Sequence, residues 1–249
     1  MTPKRRYKKP LIVEAICEFH FKASREWDPT VFGRYYERIR AEFPKKDTEK
    51  SPSPLWPPWG LKSKSYSKMF FRRTDGSALV QVGENDVTVN AFPPYPGWHN
   101  LKTVVFECVR QYAQVSEEEK IRRLAVRYIN MFPATGKMRL SDVLAISPYI
   151  PQSVREADHP LSLWLSQSLG RDQKLRLDIT FSPSGWPKDW TGTAQEQDQL
   201  VVDIECSRQA DEGLDLAAVE EALEEAHGAV LDLFEGLITD HVRRFMEEV

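Results

Sequence analysis

The sequence is poor in cysteine and has no long apolar run. Cys17, Cys108 and Cys206 are far apart and form no Cys-x-x-Cys pair, which argues against a disulfide framework or a zinc site and predicts buried free thiols. No apolar run approaches the roughly 18 residues of a membrane helix. The basic cluster Lys4-Arg5-Arg6 leads into an alternating segment and not into a signal-peptide core. We therefore expect a cytoplasmic protein that does not associate with membranes.

Motifs of catalysis are also missing. The sequence has no phosphate loop, dinucleotide fingerprint, nucleophile elbow or His-Glu-x-x-His helix. The histidines are scattered without the short spacing of a metal site: His20, His99, His159, His227 and His241. These absences predict a protein that is not an enzyme and has neither a cofactor nor a metal.

The composition is that of a globular protein, but its charge is unevenly distributed. Hydrophobic residues make up 41% of the chain and charged residues 29%, so the chain can bury a large core. Residues 1–73 contain 18 Lys and Arg against 8 Asp and Glu, whereas residues 196–249 contain 3 against 16. This polarity either steers a partner or brings the two ends of the chain together, and nucleic-acid binding by the basic end is the alternative.

The clearest element is a strand in Pro10–Phe21. Its alternation places Val13, Ala15, Cys17, Phe19 and Phe21 on one face and the charged side chains on the other. Asp28 and Pro29 suit the entry of a following helix over 28–43. The later predicted elements are three strands (Ser67–Arg73, Ala78–Val82, Asp86–Phe92), a helix from about Leu101, a strand (Ile121–Phe132), a short helix (Ser141–Ala145), three strands (Leu161–Leu169, Lys174–Phe181, Gln199–Ser207) and a final helix from Leu214.

This order predicts an α+β fold with an antiparallel sheet. Residues 1–116 and 117–249 each read as strand, helix, three strands and helix, which indicates a structural duplication within one compact unit. Helices should cover one sheet face and leave the other partly open. The last helix carries a heptad-like seam that predicts packing on its own sheet, with a homodimer contact as the alternative: Val219, Leu223, Ala226, Val230, Leu233 and Leu237.

Two sets of residues are candidate binding sites. The first is the charged sheet face, which could bind a polar ligand or Mg²⁺ or Ca²⁺ unless its charges simply pair across strands. Its members are Glu14, Glu18, His20, Arg72, Arg127, Arg176, Asp178, Asp203 and Glu205. The second is a group of proline-rich loops whose aromatic side chains either form a recognition rim or plug the ends of the core. They are Trp56, Trp59, Tyr95, Trp98, Trp186 and Trp190.

Two stretches carry a family resemblance. The segment Pro10–Phe21 with Trp27-Asp28 and the helix end at Phe43-Pro44, together with the late segment from His227 to Asp240, resembles a sporadically distributed family of prokaryotic proteins of uncharacterised activity. The resemblance implies a link to mobile or host-defence loci, including CRISPR loci, and assigns no catalytic residue.

Three functions are open at this point. The leading hypothesis is a non-enzymatic adaptor or regulatory protein that binds a protein partner. The alternatives are a nucleic-acid-binding protein that uses the open sheet face and a metal-dependent hydrolase that uses its carboxylates.

Overall fold

The computed structural model describes residues 5, 7–47, 68–133, 143–145, 161–170, 172–182 and 199–247. These residues form an α+β structure with nine strands and four helices. The strands are β1 (Ile12–Phe21), β2 (Lys45–Asp47), β3 (Met69–Arg72), β4 (Ala78–Gly83), β5 (Asp86–Ala91), β6 (Ile121–Pro133), β7 (Leu161–Ser168), β8 (Gln173–Ser182) and β9 (Gln199–Leu214). The helices are α1 (Val31–Ile39), α2 (Trp98–Ser116), α3 (Leu216–Leu237) and α4 (Asp240–Phe245).

The nine strands belong to one open antiparallel sheet. Their order is β2-β3-β4-β5-β1-β6-β9-β8-β7, which confirms the predicted α+β class and antiparallel sheet. The chain divides into two compact units that are each discontinuous in sequence. Unit 1 contains Met1–Val13, Arg127–Cys206 and Glu225–Val249, and unit 2 contains Glu14–Val126 and Ser207–Glu224.

Unit 2 has its core between its strands and the helices α1 and α2. The alternation of β1 is confirmed, because Ala15, Cys17, Phe19 and Phe21 are all at most 1% exposed. Tyr35 of α1 donates its hydroxyl to the carbonyl of Cys108 in α2 at 3.2 Å. This bond satisfies a buried phenol that would otherwise destabilise the core.

Unit 1 has a core of the same kind, built from β6, β8, β9 and the C-terminal part of α3. Phe132 of β6 packs against Phe234 of α3 with ring centroids 6.4 Å apart. The hydroxyl of the buried Tyr128 lies 3.2 Å from Nδ1 of His227, which is itself only 5% exposed. His227 is thus a core residue with a polar partner.

Several predicted boundaries of helices and strands differ from the structure. α1 begins at Val31, because the Asp28 carboxylate accepts the Thr30 amide at 2.9 Å in a turn that precedes the helix. β9 continues to Leu214, seven residues beyond its predicted end, so the last helix starts later than expected. That helix also does not reach the C-terminus as one piece, since α3 ends at Leu237 and α4 begins at Asp240.

The predictions for the cysteines, the last helix and the duplication have different outcomes. All three cysteines are free and buried, as predicted. Five of the six seam residues of α3 are buried within the chain, and Leu233 is half-buried, so packing within the chain accounts for the seam. The predicted duplication is not confirmed. In the described part of the chain, none of the helices has the length and apolarity needed to cross a membrane.

Candidate functional site

The first part of the predicted sheet face lies in unit 2. Strand register places Ile16 of β1 beside Asn90, Asn90 beside Leu79, and Leu79 beside Arg72. Glu14 and Glu18 lie two positions before and after Ile16, and every second residue of a strand lies on the same face. They therefore share this face with Arg72. The structure thus brings these three predicted residues onto one face.

This face is less open than the sequence predicted. Asn90 is 2% exposed, Leu79 5% and Thr88 6%. The amide of Asn90 donates to Glu14 at 2.6 Å and its oxygen accepts a hydrogen bond from Gln81 at 3.0 Å. The predicted solvated surface is therefore, over β4 and β5, a buried layer whose polar groups satisfy one another.

The charged centre of unit 2 is a network around Glu18. Nε2 of His20 donates to Oε1 of Glu18, and Nη1 of Arg123 lies 3.1 Å from the same oxygen. Nearby, the ammonium of Lys68 lies 3.0 Å from Oδ2 of Asp86, the residue opposite His20 in the sheet. We call Glu18, His20, Arg123, Lys68 and Asp86 the unit 2 network.

The unit 2 network fixes the protonation state of Glu18. Burial by itself would raise the pKa of Glu18, but the hydrogen bond from His20 and the charges of Arg123, His20 and Lys68 outweigh burial and lower it to about 2. A carboxyl group with so low a pKa has no proton to donate near neutral pH. Glu18 therefore cannot act as a general acid there.

The second part of the predicted face lies in unit 1 and is more exposed. Nε of Arg127 donates to Oδ1 of Asp203 at 2.8 Å and its Nη2 donates to Oδ2, which makes a bidentate pair. Arg176 lies 3.2 Å from Asp178 and 3.6 Å from Glu205. We call these five residues the unit 1 cluster, and all five were predicted from the sequence.

Charge and exposure vary within the unit 1 cluster. The side chain of Asp203 is 9% exposed, whereas those of Arg176 and Asp178 are 31% and 34% exposed. The pKa of Asp178 is raised, mainly by burial and further by the negative charges of Asp203 and Glu205, although Arg176 and Arg127 oppose this. The cluster holds two arginines and three carboxylates, so its local charge is negative.

Only two of the predicted loop aromatics fall in the described chain. Nε1 of Trp98 donates to both carboxylate oxygens of Glu224 at 3.1 Å, and Glu224 also pairs with Lys102 at 2.7 Å. Trp98 and Tyr95 are both half-buried. The hydrogen bond of Trp98 connects the start of α2 to α3. Trp56, Trp59, Trp186 and Trp190 lie outside the described residues, so a common aromatic rim stays a prediction.

Sequence reasoning missed four members of the polar face in unit 2. Arg123, Lys68, Asp86 and Asn90 all contact predicted residues or one another. Arg123 could have been found, because it stands four positions before Arg127 on the same strand and so shares its face. The same rule could have found Lys68, which stands four positions before Arg72 in the predicted strand Ser67–Arg73.

No family model matches the chain, and no curated protein matches it. The resemblance to the sporadically distributed prokaryotic family therefore stays a prediction. Within the described residues, no three His, Cys, Asp or Glu side chains are grouped so that they could hold one metal ion.

Proposed function

We propose that the chain is a non-enzymatic binding protein that recognises a protein partner through the unit 1 cluster. One observation carries the proposal: each arginine of this cluster is already held by carboxylates of the same cluster, while Arg176 and Asp178 remain about a third exposed. Such a surface offers donors and acceptors in fixed positions, which is how polar interface groups give specificity and register.

The charge of the cluster favours a protein over a nucleic acid. A phosphate that approached Arg127 or Arg176 would also meet Asp178, Asp203 and Glu205, and it would have to displace a carboxylate from each arginine. Nucleic-acid affinity depends mainly on unopposed Lys and Arg. A mixed patch that contains arginine is more typical of protein interfaces.

A matched pair of double variants tests the proposal. Arg176→Ala/Asp178→Ala removes the Arg176–Asp178 ion pair, whose atoms lie 3.2 Å apart, together with the 3.6 Å contact of Arg176 with Glu205, and leaves the net charge unchanged. Glu37→Ala/Arg40→Ala removes an exposed ion pair of the same 3.2 Å distance on α1. The wild-type chain is first used to capture a partner from native cells. The purified partner is then titrated calorimetrically with all three proteins, whose folding is checked by circular dichroism.

The two variants should behave differently. We expect the Arg176/Asp178 variant to bind the partner at least about tenfold more weakly, and the Glu37/Arg40 variant to bind it as the wild type does. Equal affinity in all three proteins would refute this contact surface. Saturable binding of labelled DNA or RNA at low salt that depends on Arg176 would instead support a nucleic-acid-binding function.

We also propose, in line with the element order, that residues 1–116 and 117–249 arose by duplication. The sheet order supports this, because β5, β4 and β3 follow outward from β1 as β9, β8 and β7 follow from β6. An experimental structure in which these two sets of strands fail to superimpose would refute the duplication. A role beside host-defence systems rests on the family resemblance, and disruption of the gene with no change in phage sensitivity would argue against it.

A further inference from the structure

The two end strands of the sheet differ in how they are protected against pairing. β2 has only three residues, Lys-Lys-Asp, all of them charged. β7 has eight residues, Leu-Ser-Leu-Trp-Leu-Ser-Gln-Ser, and among these eight there is no charge, proline or glycine. Short length and charge are the usual devices that keep edge strands from pairing with other chains. β7 has neither of them.

The described part of β7 is also open to solvent. Leu165, Ser166, Gln167 and Ser168 are all exposed, and Leu165 is 54% exposed. Register pairs Leu165 with Leu177 of β8, which is 3% exposed and belongs to the core side of the sheet. A leucine on the core side at the sheet edge is thus more than half exposed to solvent. Among the described strands, β7 pairs with β8 alone.

We propose that β7 pairs antiparallel with β7 of a second copy of this chain. Antiparallel pairing of a strand with itself follows a two-fold axis, so each copy presents the same patch and a charged side chain close to the axis meets the like charge of its own copy. A strand of eight uncharged residues avoids that repulsion. A pairing centred on position 164 sets position 163 opposite position 165, both of them leucines, in each copy.

A second copy explains the absence of charge better than a different protein does. A different partner could place an opposite charge beside a charged β7, whereas two-fold pairing disfavours any charge near the centre of the strand. Eight residues extend only about 27 Å, and the contact falls at the small end of specific interfaces. We therefore expect reversible association with a dissociation constant on the order of tens of micromolar.

Sedimentation of the purified full chain tests the proposal without any partner, so its outcome is separate from that of the proposed function. The wild type is measured from about 1 to about 300 μM, which spans weak specific interfaces, and should change from monomer to dimer. Leu165→Lys should abolish the dimer at all these concentrations. The matched control is Phe245→Lys on α4, which replaces a similarly exposed apolar residue (49%) and should leave dimerisation unchanged.

Charge complementation identifies the surface directly. Leu165→Lys and Leu165→Glu should each be monomeric alone, and an equimolar mixture should regain a dimer, because the opposite charges then lie at diagonal positions on one face, within reach of long side chains. A wild type that stays monomeric throughout, a dimer that survives Leu165→Lys, or a mixture that stays monomeric would each overturn the proposal. If the Leu165 variants do not fold, hydrogen exchange of the wild type takes their place: the backbone amides of β7 that do not bond to β8 should exchange more slowly above the dimerisation range than below it, and unchanged exchange would overturn the proposal.

Discussion

Replacement of Glu18 by glutamine tests whether the unit 2 network stabilises the fold. Glutamine keeps the size of the side chain and can still accept hydrogen bonds from His20 and Arg123, but it removes the negative charge. At neutral pH we expect the variant to unfold more easily than the wild type, because its neutral amide attracts the Arg123 guanidinium less strongly than a carboxylate does.

The size of the effect follows from the pKa of Glu18. This pKa falls from an ordinary 4.5 to about 2 in the folded chain, and each pH unit corresponds to ~1.4 kcal/mol. The shift therefore represents at most about 3.5 kcal/mol. Because the Glu18 side chain is 31% exposed, solvent screening reduces our expectation to about 1–2 kcal/mol in the free energy of unfolding.

The pH dependence has a definite sign. A carboxyl group whose folded pKa is depressed contributes its full stability above its unfolded pKa, so the contribution of Glu18 is complete above about pH 5. It is lost as the pH falls from 4.5 toward the folded pKa of about 2. The stability difference between wild type and Glu18→Gln should therefore be largest at neutral pH and shrink through this window.

Urea unfolding at neutral and acidic pH measures the difference. Circular dichroism and tryptophan fluorescence are followed together, and only coincident transitions are treated as two-state, since the chain has two compact units. Glu119→Gln, at an exposed position, is the matched control and should stay within about 0.5 kcal/mol of the wild type. A Glu18 variant as stable as the wild type at pH 7, or an unchanged difference at pH 3, would refute the reasoning.

Two further predictions concern unfolding free energies. Arg127→Leu should lower the free energy of unfolding by about 3 kcal/mol, because it leaves the nearly buried Asp203 carboxylate unpaired. The double variant Arg127→Leu/Asp203→Leu should be more stable than Arg127→Leu alone, and strictly additive effects of the two single substitutions would contradict this. Gly213→Ala should cost about 1–3 kcal/mol, since its φ is +79° and the new Cβ would lie 2.7 Å from Cβ of Lys120. Gly33→Ala, in α1 with open space around it, should instead stabilise by about 0.5–1 kcal/mol, and equal effects at the two glycines would contradict the backbone argument.

The proposed dimer contact at β7 and the proposed partner contact at the unit 1 cluster lie on neighbouring strands. Register places Trp164 of β7 opposite Asp178 and Ser166 opposite Arg176, so the dimer edge adjoins the unit 1 cluster. If both proposals hold, a second copy bound at β7 lies beside the surface that a protein partner uses. Partner affinity measured below and above the dimerisation range would then differ by the coupling between the two events.

The sequence by itself determined which face of each strand is apolar. A strand alternates with period 2, so Ala15, Cys17 and Phe19 had to share one face and Glu18 and His20 the other, wherever the strand lay in the fold. The same rule applied to β6, β8 and β9 identified every member of the unit 1 cluster. Element type was predictable for most of the other strands and helices because periodicity is a local property, but the short charged strand β2 (Lys45–Asp47) was not predicted.

Only the tertiary structure decided which charges meet. Arg127 and Asp203 are 76 positions apart in sequence, as are Glu14 and Asn90, and no local pattern fixes the order in which strands pair. For that reason the sequence could not predict that the face over β4 and β5 is buried or that β7 lies at the end of the sheet. Whether an uncharged strand is an exposed edge depends on which strands pair beside it, and the fold of the whole chain decides that pairing.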